Sequence, residues 1–363
     1  MKYLLLIPLS LLIFAPLLVS SYALSLLVQV LIFGILAMSL NLLIGHTGLI
    51  SFNHATFFGL GAYAAGILSV WGYDNFWLAL CAGIVIPMMA AAFLGLLIFR
   101  SSGPYFFILT LAFGQLAFAA AWKWRSLTGG DDGLPGISRP GPGLPVSFAD
   151  DAYFYYMVLI FFILSYSILR TLVRSHFGRA LAGIREGEGR MQAMGYNTWA
   201  YKYAAYIAAA GFGGLGGVLN AWFNGIASPH DMNWTMSGMI VLMVIIGGSG
   251  SLAGPVLGAG IIIFLQYTAS SYTERWPFIT GVVFVLCVLY VREGIAGVIM
   301  HLFRGNFSVV EKSPSENKIG TRHLKKWRTF CRLVIIKTAR ERFAGGRKKY
   351  ESSGNKESKK ELR

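Results

Sequence analysis

Charge is the scarcest property of this sequence. Of 363 residues, 13% are charged and 55% hydrophobic, and no Asp, Glu, Lys or Arg stands between Lys2 and Asp74. A soluble domain of this length needs a far larger charged surface, which excludes that class. Cysteine is nearly as rare. Cys81 and Cys287 lie in apolar runs and Cys331 in a basic stretch, and no pair has disulfide or metal spacing, so all three read as packing residues. No stretch reads G-x-x-x-x-G-K-[ST], so the sequence offers no phosphate-cradling loop for an ATPase of its own. Neither G-x-S-x-G nor H-E-x-x-H occurs, and no His/Cys cluster has ligand spacing. The apolar runs hold almost nothing ionisable beyond His46 and His54. That leaves no nucleophile–base pair for an intramembrane enzyme and no relay for a proton-coupled pump. No catalytic or metal residue is expected.

What the sequence has in quantity is apolar runs of about 20 residues, the length of helix that crosses the roughly 30 Å hydrocarbon layer. In lipid such runs must be helical, because unpaired backbone groups cost several kcal/mol each. Ten segments are predicted, at 3–21, 22–44, 55–71, 76–99, 104–122, 152–172, 202–226, 236–248, 252–270 and 276–292. The fold class is therefore an all-α polytopic membrane protein with about ten transmembrane or re-entrant helices. The 236–248 segment is too short to span alone, so it is tilted, re-entrant or continuous with its neighbour. The first segment has a rival reading: Lys2, an apolar run and the small residues around Ser21 and Ala23 also fit a signal peptide.

The net charge of +15 is unevenly spread. Through Arg304 there are 14 basic and 10 acidic residues; the last 59 residues hold 17 basic and 6 acidic. The basic character thus belongs to a tail, 305–363, and the membrane body is 1–304. Placing the 173–201 connection in the cytoplasm puts Lys2, Arg100, Arg170, Arg174, Arg179, Arg185, Arg190, Lys202, Arg292, Arg304 and the tail on that side. The other side then receives most of the aspartates, including those of the 123–151 loop. This satisfies the positive-inside rule with both termini cytoplasmic.

Three regions carry polar residues at informative places. In NLLIGHTGLISFNHATFFGLGAYAAG (41–66), Gly45 and Gly48 bracket a break between apolar runs, and Ser51, Asn53 and His54 open the next helix. Broken helices in membranes occur where backbone is buried in protein or lines a wet cavity, so Asn41, Ser51, Asn53 and His54 are candidates for a solute path. The plainer alternative is a helix–helix turn capped at Ser51 or Asn53. In the second region, LTLAFGQLAFAAAWKWRSLTGGDDGLPGI (109–137), Gln115 is polar within an apolar run; it either meets the solute or bonds a neighbouring helix. The Asp131–Asp132 loop beyond it is a docking surface or a solvated turn, and does not complete a calcium-loop pattern. In the third, RSHFGRALAGIREGEGRMQAMGYNTWAYK (174–202), Leu181, Ile184, Met191 and Met194 share one helical side, interrupted by Glu188 and weakened by glycines. Such an element docks into a groove of a soluble partner or lies on lipid headgroups.

GHTGLISFNHATFFGLGAYAAG (45–66), LTLAFGQ…WRSLTGGDDGLPGI (109–137), FGRALAGIREGEGRMQAMGYN (177–197) and VIIGGSGSLAGPVLGAG (244–260) resemble the motifs of branched-chain amino acid permeases of ABC importers. The 109–137 stretch points to the LivM-type subunit rather than its LivH-type partner. The resemblance covers about residues 20–300, in order. It implies a non-catalytic permease of the bacterial inner membrane that pairs with a second, LivH-type permease above two cytoplasmic ATPase subunits. ATP and magnesium are expected on those subunits and no cofactor in this chain; a periplasmic binding protein delivers the solute. It also implies that 177–197 is the ATPase-coupling element, drawing on Arg185, Glu186, Glu188, Met191, Met194 and Gly195, with Glu186 and Gly195 nearest the family's positions. The EGEGRMQAMG stretch is glycine-richer than is usual in the family.

The tail lies beyond the family core. Leu324, Trp327, Cys331, Val334 and Ile335 follow helical spacing among basic residues there, as in a membrane-surface helix attracted to anionic lipid. Gly, Ser, Lys and Glu make 344–363 read as partly disordered. No nucleic-acid module is recognisable. A second solute class, urea or another small amide, fits the same fold. A different class altogether, an ATP-independent channel or facilitator, is separated from the importer by whether the isolated chain transports without ATP. Gly45 and Gly48 before Gly59 and Gly61 also echo Gly247 and Gly250 before Gly258 and Gly260.

Overall fold

The computed structural model describes residues 12–16, 19–101, 104–139, 141 and 150–272, with isolated positions at 278, 281, 282 and 285. Nine helices of more than ten residues follow one another in this part. They are α1 (Ser21–Ile44), α2 (His54–Val70), α3 (Phe76–Ile98), α4 (Pro104–Lys123), α5 (Asp151–Arg174), α6 (His176–Ala193), α7 (Thr198–Asn224), α8 (Trp234–Gly247) and α9 (Gly254–Tyr272). Eight coincide with predicted segments. Among the described residues six helices (α1, α3, α4, α5, α7 and α9) are long and apolar enough to cross a membrane, and α2 and α8 are shorter apolar helices. The segments at 3–21 and 276–292 and the tail at 305–363 lie largely or wholly outside the described residues.

Capping residues set most helix starts. Asn75 accepts from the N–H groups of Trp77 and Leu78, Asp150 from Ala152, Ser175 from Gly178, Asn197 from Ala200 and Asn233 from Thr235. Each satisfies a donor that a helix start leaves open. The Asn197 cap also explains the largest boundary difference: α7 begins at Thr198, four residues before the hydropathy-based start at 202. Its first turn is amphipathic, so an apolar run could not mark it.

The core forms around α7, where 78% of the apolar window is buried against 22% for α4. α7 packs on α1, α2 and α3. It can do so because its middle reads GFGGLGG (211–217). At Gly214 a side chain would run into the Gly83 backbone carbonyl and Pro87 of α3, while Gly61 of α2 lies against the Gly214 backbone. Pro87 has no N–H to give the Gly83 carbonyl four residues earlier, and that carbonyl faces the glycine surface of α7. Small residues drive helix association in lipid through this kind of close backbone approach.

The helices place their connections at two ends. One end gathers the 45–53 and 248–253 breaks, α6, and the start of α7. It carries Arg100, Arg170, Arg174, Arg179, Arg185, Arg190 and Lys202 against Glu186 and Glu188. The opposite end carries Asp74, Asp131, Asp132, Asp150, Asp151 and Asp231 against Lys123, Arg125 and Arg139. There the two-residue strands Leu134–Pro135 and Ile226–Ala227 pair antiparallel, Ser138 donates to Asp74 at 2.8 Å, and Arg139 meets Asp151 at 3.0 Å and lies over the Phe154 ring. These bonds tie the 129–139 loop to the ends of α2, α5 and α7.

Candidate functional site

The chain between α1 and α2 is buried yet irregular, so its polar groups have to find partners within the protein. α1 closes with the Gly45 N–H on the Asn41 carbonyl at 2.7 Å, and the N–H groups of Thr47 and Leu49 both reach the Leu43 carbonyl. Asn41, Ser51, Asn53 and His54 are all fully buried. Asn41 donates through Nδ2 to the Ser251 carbonyl at 3.1 Å, joining this break to the one between α8 and α9. Ser51 donates to Asn53 Oδ1 at 2.7 Å, and Asn53 Nδ2 donates to the Tyr206 hydroxyl of α7 at 2.5 Å. The Phe52 N–H donates to Thr110 of α4 at 3.1 Å, and the Ala55 N–H to Ser237 of α8 at 3.2 Å. His54 Nε2 lies 2.6 Å from Ser39 Oγ, whose own proton goes to the Leu36 carbonyl. The imidazole must therefore donate through Nε2, leaving Nδ1 as an acceptor without a partner among the described residues.

The four candidates of this region thus come together in one buried knot joining α1, α2, α4, α7, α8 and the 248–253 break. Gln115 is apart from it. It is half-buried, and its Nε2 finds no partner among the described residues; the bond from α4 to the knot is made by Thr110 instead.

α6 covers the knot from the basic end. Its start is capped by Ser175, and Gly187 breaks it with extended dihedrals, φ −177° and ψ 88°. Its last turn ends in a Schellman motif: the Tyr196 N–H bonds the Met191 carbonyl at 3.0 Å and the Gly195 N–H the Gln192 carbonyl at 2.9 Å. Gly195 sits at φ +85°, where a side chain is strained, so this turn calls for glycine. The predicted apolar stripe divides. Leu181 joins the main core, while Ala180, Ile184 and Met191 pack on Tyr201 of α7. Met194, at 65% exposed, lies outside them. Leu181, Ile184 and Met191 therefore cover the chain's own interior, and the outward face holds Glu186, Arg190, Met194 and Gly195.

Two side chains fix α6 in place. Arg185 Nη1 donates to the Gly45 carbonyl and so grips the break itself. Glu188 accepts from Lys202 Nζ at 2.5 Å and from the Thr198 hydroxyl at 3.0 Å, pinning α6 to the first turns of α7. Partial burial acts to raise the Glu188 pKa, but the Lys202 hydrogen bond and charge, with the Thr198 bond, leave it below the ordinary value. Burial first, and then the Arg185 charge, hold His46 below the usual imidazole range.

At the acidic end a cavity of about 320 Å³ opens between α1, α7, α8 and α9. Its polar lining is Gln29, Asn220, Asn224, Asp231, Gln266 and Ser270, and Phe33, Met236, Met239 and Met243 are among its apolar walls. None of these was a sequence candidate. The signal that marks them is the one that singled out Gln115, a polar residue inside an apolar run, which recurs at 29, 220 and 266. Among the described residues no three His, Cys, Asp or Glu side chains are grouped to hold a metal ion.

Residues 22–291 match the family described as branched-chain amino acid transport system / permease component. The chain is 26% identical over 302 residues to the high-affinity branched-chain amino acid transport system permease protein LivM of Salmonella typhimurium, covering 77% of this chain and 71% of that one. The LivM protein of Escherichia coli matches with the same identity and coverage. No solved structure matches.

Proposed function

We propose, from the premise that this chain belongs to the branched-chain amino acid transport system permease family, that it is the LivM-type membrane subunit of an ABC importer and conducts branched-chain amino acids. The single observation that carries this reading is the match across residues 22–291, which takes in the bundle, both breaks and α6. The residues of α6 support a division of labour. Energy enters through ATPase subunits bound beneath the basic end, where Glu186, Arg190, Met194 and Gly195 face outward. The basic charge of that end fits the cytoplasmic side.

A movement of α6 is felt at the α1–α2 break because Arg185 holds the Gly45 carbonyl. The break is in turn hydrogen-bonded to α4, α7 and α8 and to the Ser251 carbonyl. Rocking of packed helices between two arrangements needs only a partner that binds them differently. In this reading Asn41, Ser51, Asn53 and His54 transmit and hold a gate, and Gln115 contacts the solute path from α4. A second permease, two ATPases loaded with ATP and magnesium, and a periplasmic binding protein complete the machine in the bacterial inner membrane.

The test replaces Arg185 by Gln, or Glu186 by Ala, in the assembled complex. Solute-stimulated ATP hydrolysis is expected to fall while insertion and subunit assembly persist. Stimulation and transport at parental levels in both variants would reject the coupling role of α6.

A further inference from the structure

The cavity at the acidic end has a composition that the fold alone does not require. Asp231 is a half-buried carboxylate held on the 3₁₀ turn Pro229–Met232. Its backbone N–H donates to the Ser228 carbonyl at 3.2 Å, and no Lys or Arg among the described residues forms an ion pair with it. A carboxylate drawn partly out of water with no cation beside it is costly, and in membrane proteins such groups mark solute or ion sites. Amides gather around the same space. Asn224 donates to Asn220 Oδ1 at 3.1 Å, which orients the Asn220 amide while its Nδ2 stays without a partner among the described residues. Gln29 of α1 and Gln266 of α9 face the cavity from other helices. Met236, Met239 and Met243 of α8, three flexible thioethers on one helical side, line the same cavity with Phe33.

We infer that this cavity is a binding site for an α-amino acid zwitterion with an aliphatic side chain, formed within this subunit and used on the way through the membrane. The ammonium group lies at Asp231, the carboxylate takes N–H donors from the Asn220 and Gln266 amides, and the side chain packs on the methionines. Charge and shape both support the assignment. A zwitterion brings one group of each sign, and among the described residues the cavity offers one carboxylate and several neutral amide donors, but no Lys or Arg. Methionine adapts to differently branched aliphatic groups, and 320 Å³ is at the small-metabolite end of the usual range of about 300–1,000 Å³. The proposal rests on the importer reading and adds to it a residue-level site that lies away from the α6 end.

The test uses the complete importer in proteoliposomes, with leucine as probe, and reads leucine transported per ATP hydrolysed. Asp231→Asn keeps the shape and removes the charge; Met239→Trp fills the apolar half. Both are expected to lower leucine transported per ATP by roughly ten- to a hundredfold, for Asp231→Asn the scale of a lost charge-assisted bond. Either assembled variant carrying leucine at the parental ratio would overturn the site; if one fails to assemble, the other decides. A parental complex that hydrolyses ATP without moving leucine would instead overturn the importer reading.

Discussion

Asp231 is the residue whose chemistry departs furthest from its surroundings. Burial raises its pKa from the ordinary 3.8 to about 6, against the smaller opposing effects of the Ser228 N–H and His230. Between those two values the folded chain holds a proton that the unfolded chain has lost. Stability therefore falls as the pH rises through that window and stays lower above it. Asp231→Asn removes the penalty. At neutral pH the variant is expected to unfold at higher temperature than the parent, with a gain of up to about 3 kcal/mol, and the two should converge below the ordinary carboxylate pKa. Thermal melts of the solubilised protein across pH check this; a variant less stable at neutral pH contradicts it. Glu188 has the opposite sign: its paired carboxylate contributes stability that is lost as pH falls. Neither behaviour was legible in the sequence, where Asp231 is one more loop aspartate and Glu188 an interruption of a stripe. Asp231 owes its shift to burial by other elements and Glu188 its shift to partners on another helix, and no local pattern encodes either.

At the scale of elements, the apolar runs and their Asn, Asp and Ser caps made most helices legible to within a few residues. The glycine surface between α2, α3 and α7 was less so, because glycines look alike in a sequence and differ only in what faces them. Gly214 and Gly216, two positions apart on α7, separate these cases. A methyl at Gly214 meets the Gly83 carbonyl backbone, whereas at Gly216 its nearest neighbour is the Phe58 ring at 3.5 Å, an ordinary contact. Gly214→Ala is expected to destabilise the bundle by a few kcal/mol, as overpacking does. Gly216→Ala should be tolerated, since alanine also gains helix propensity. Equal yields of folded protein from the two variants would refute the packing described here. α6 gives a second lesson. Its periodicity predicted an apolar face, and the face exists, but Ile184 and Met191 meet Tyr201 of the same chain. Periodicity identifies a covered face without saying what covers it. Gly195→Ala should cost about 1 kcal/mol by straining the left-handed cap, read as earlier fraying of α6 in hydrogen exchange.

The described residues form a helical bundle whose two ends differ in charge, and the features argued to act are divided between them. α6, proposed to couple, and the buried knot lie at the basic end, and the amide- and carboxylate-lined cavity at the acidic end. The motif order that resembled branched-chain amino acid permeases is matched over the same stretch, 22–291. Membrane embedding was legible from composition alone; the cavity was not, because its residues come from four separate helices and the 229–232 turn. The central claim is that this chain conducts branched-chain amino acids only as one subunit of an ATP-driven assembly. Leucine uptake into proteoliposomes tests it most directly, comparing this chain alone with the complex containing the second permease, the ATPases and the binding protein. Concentrative uptake is expected only from the complex and only with ATP; uptake by the isolated chain without ATP would contradict the account.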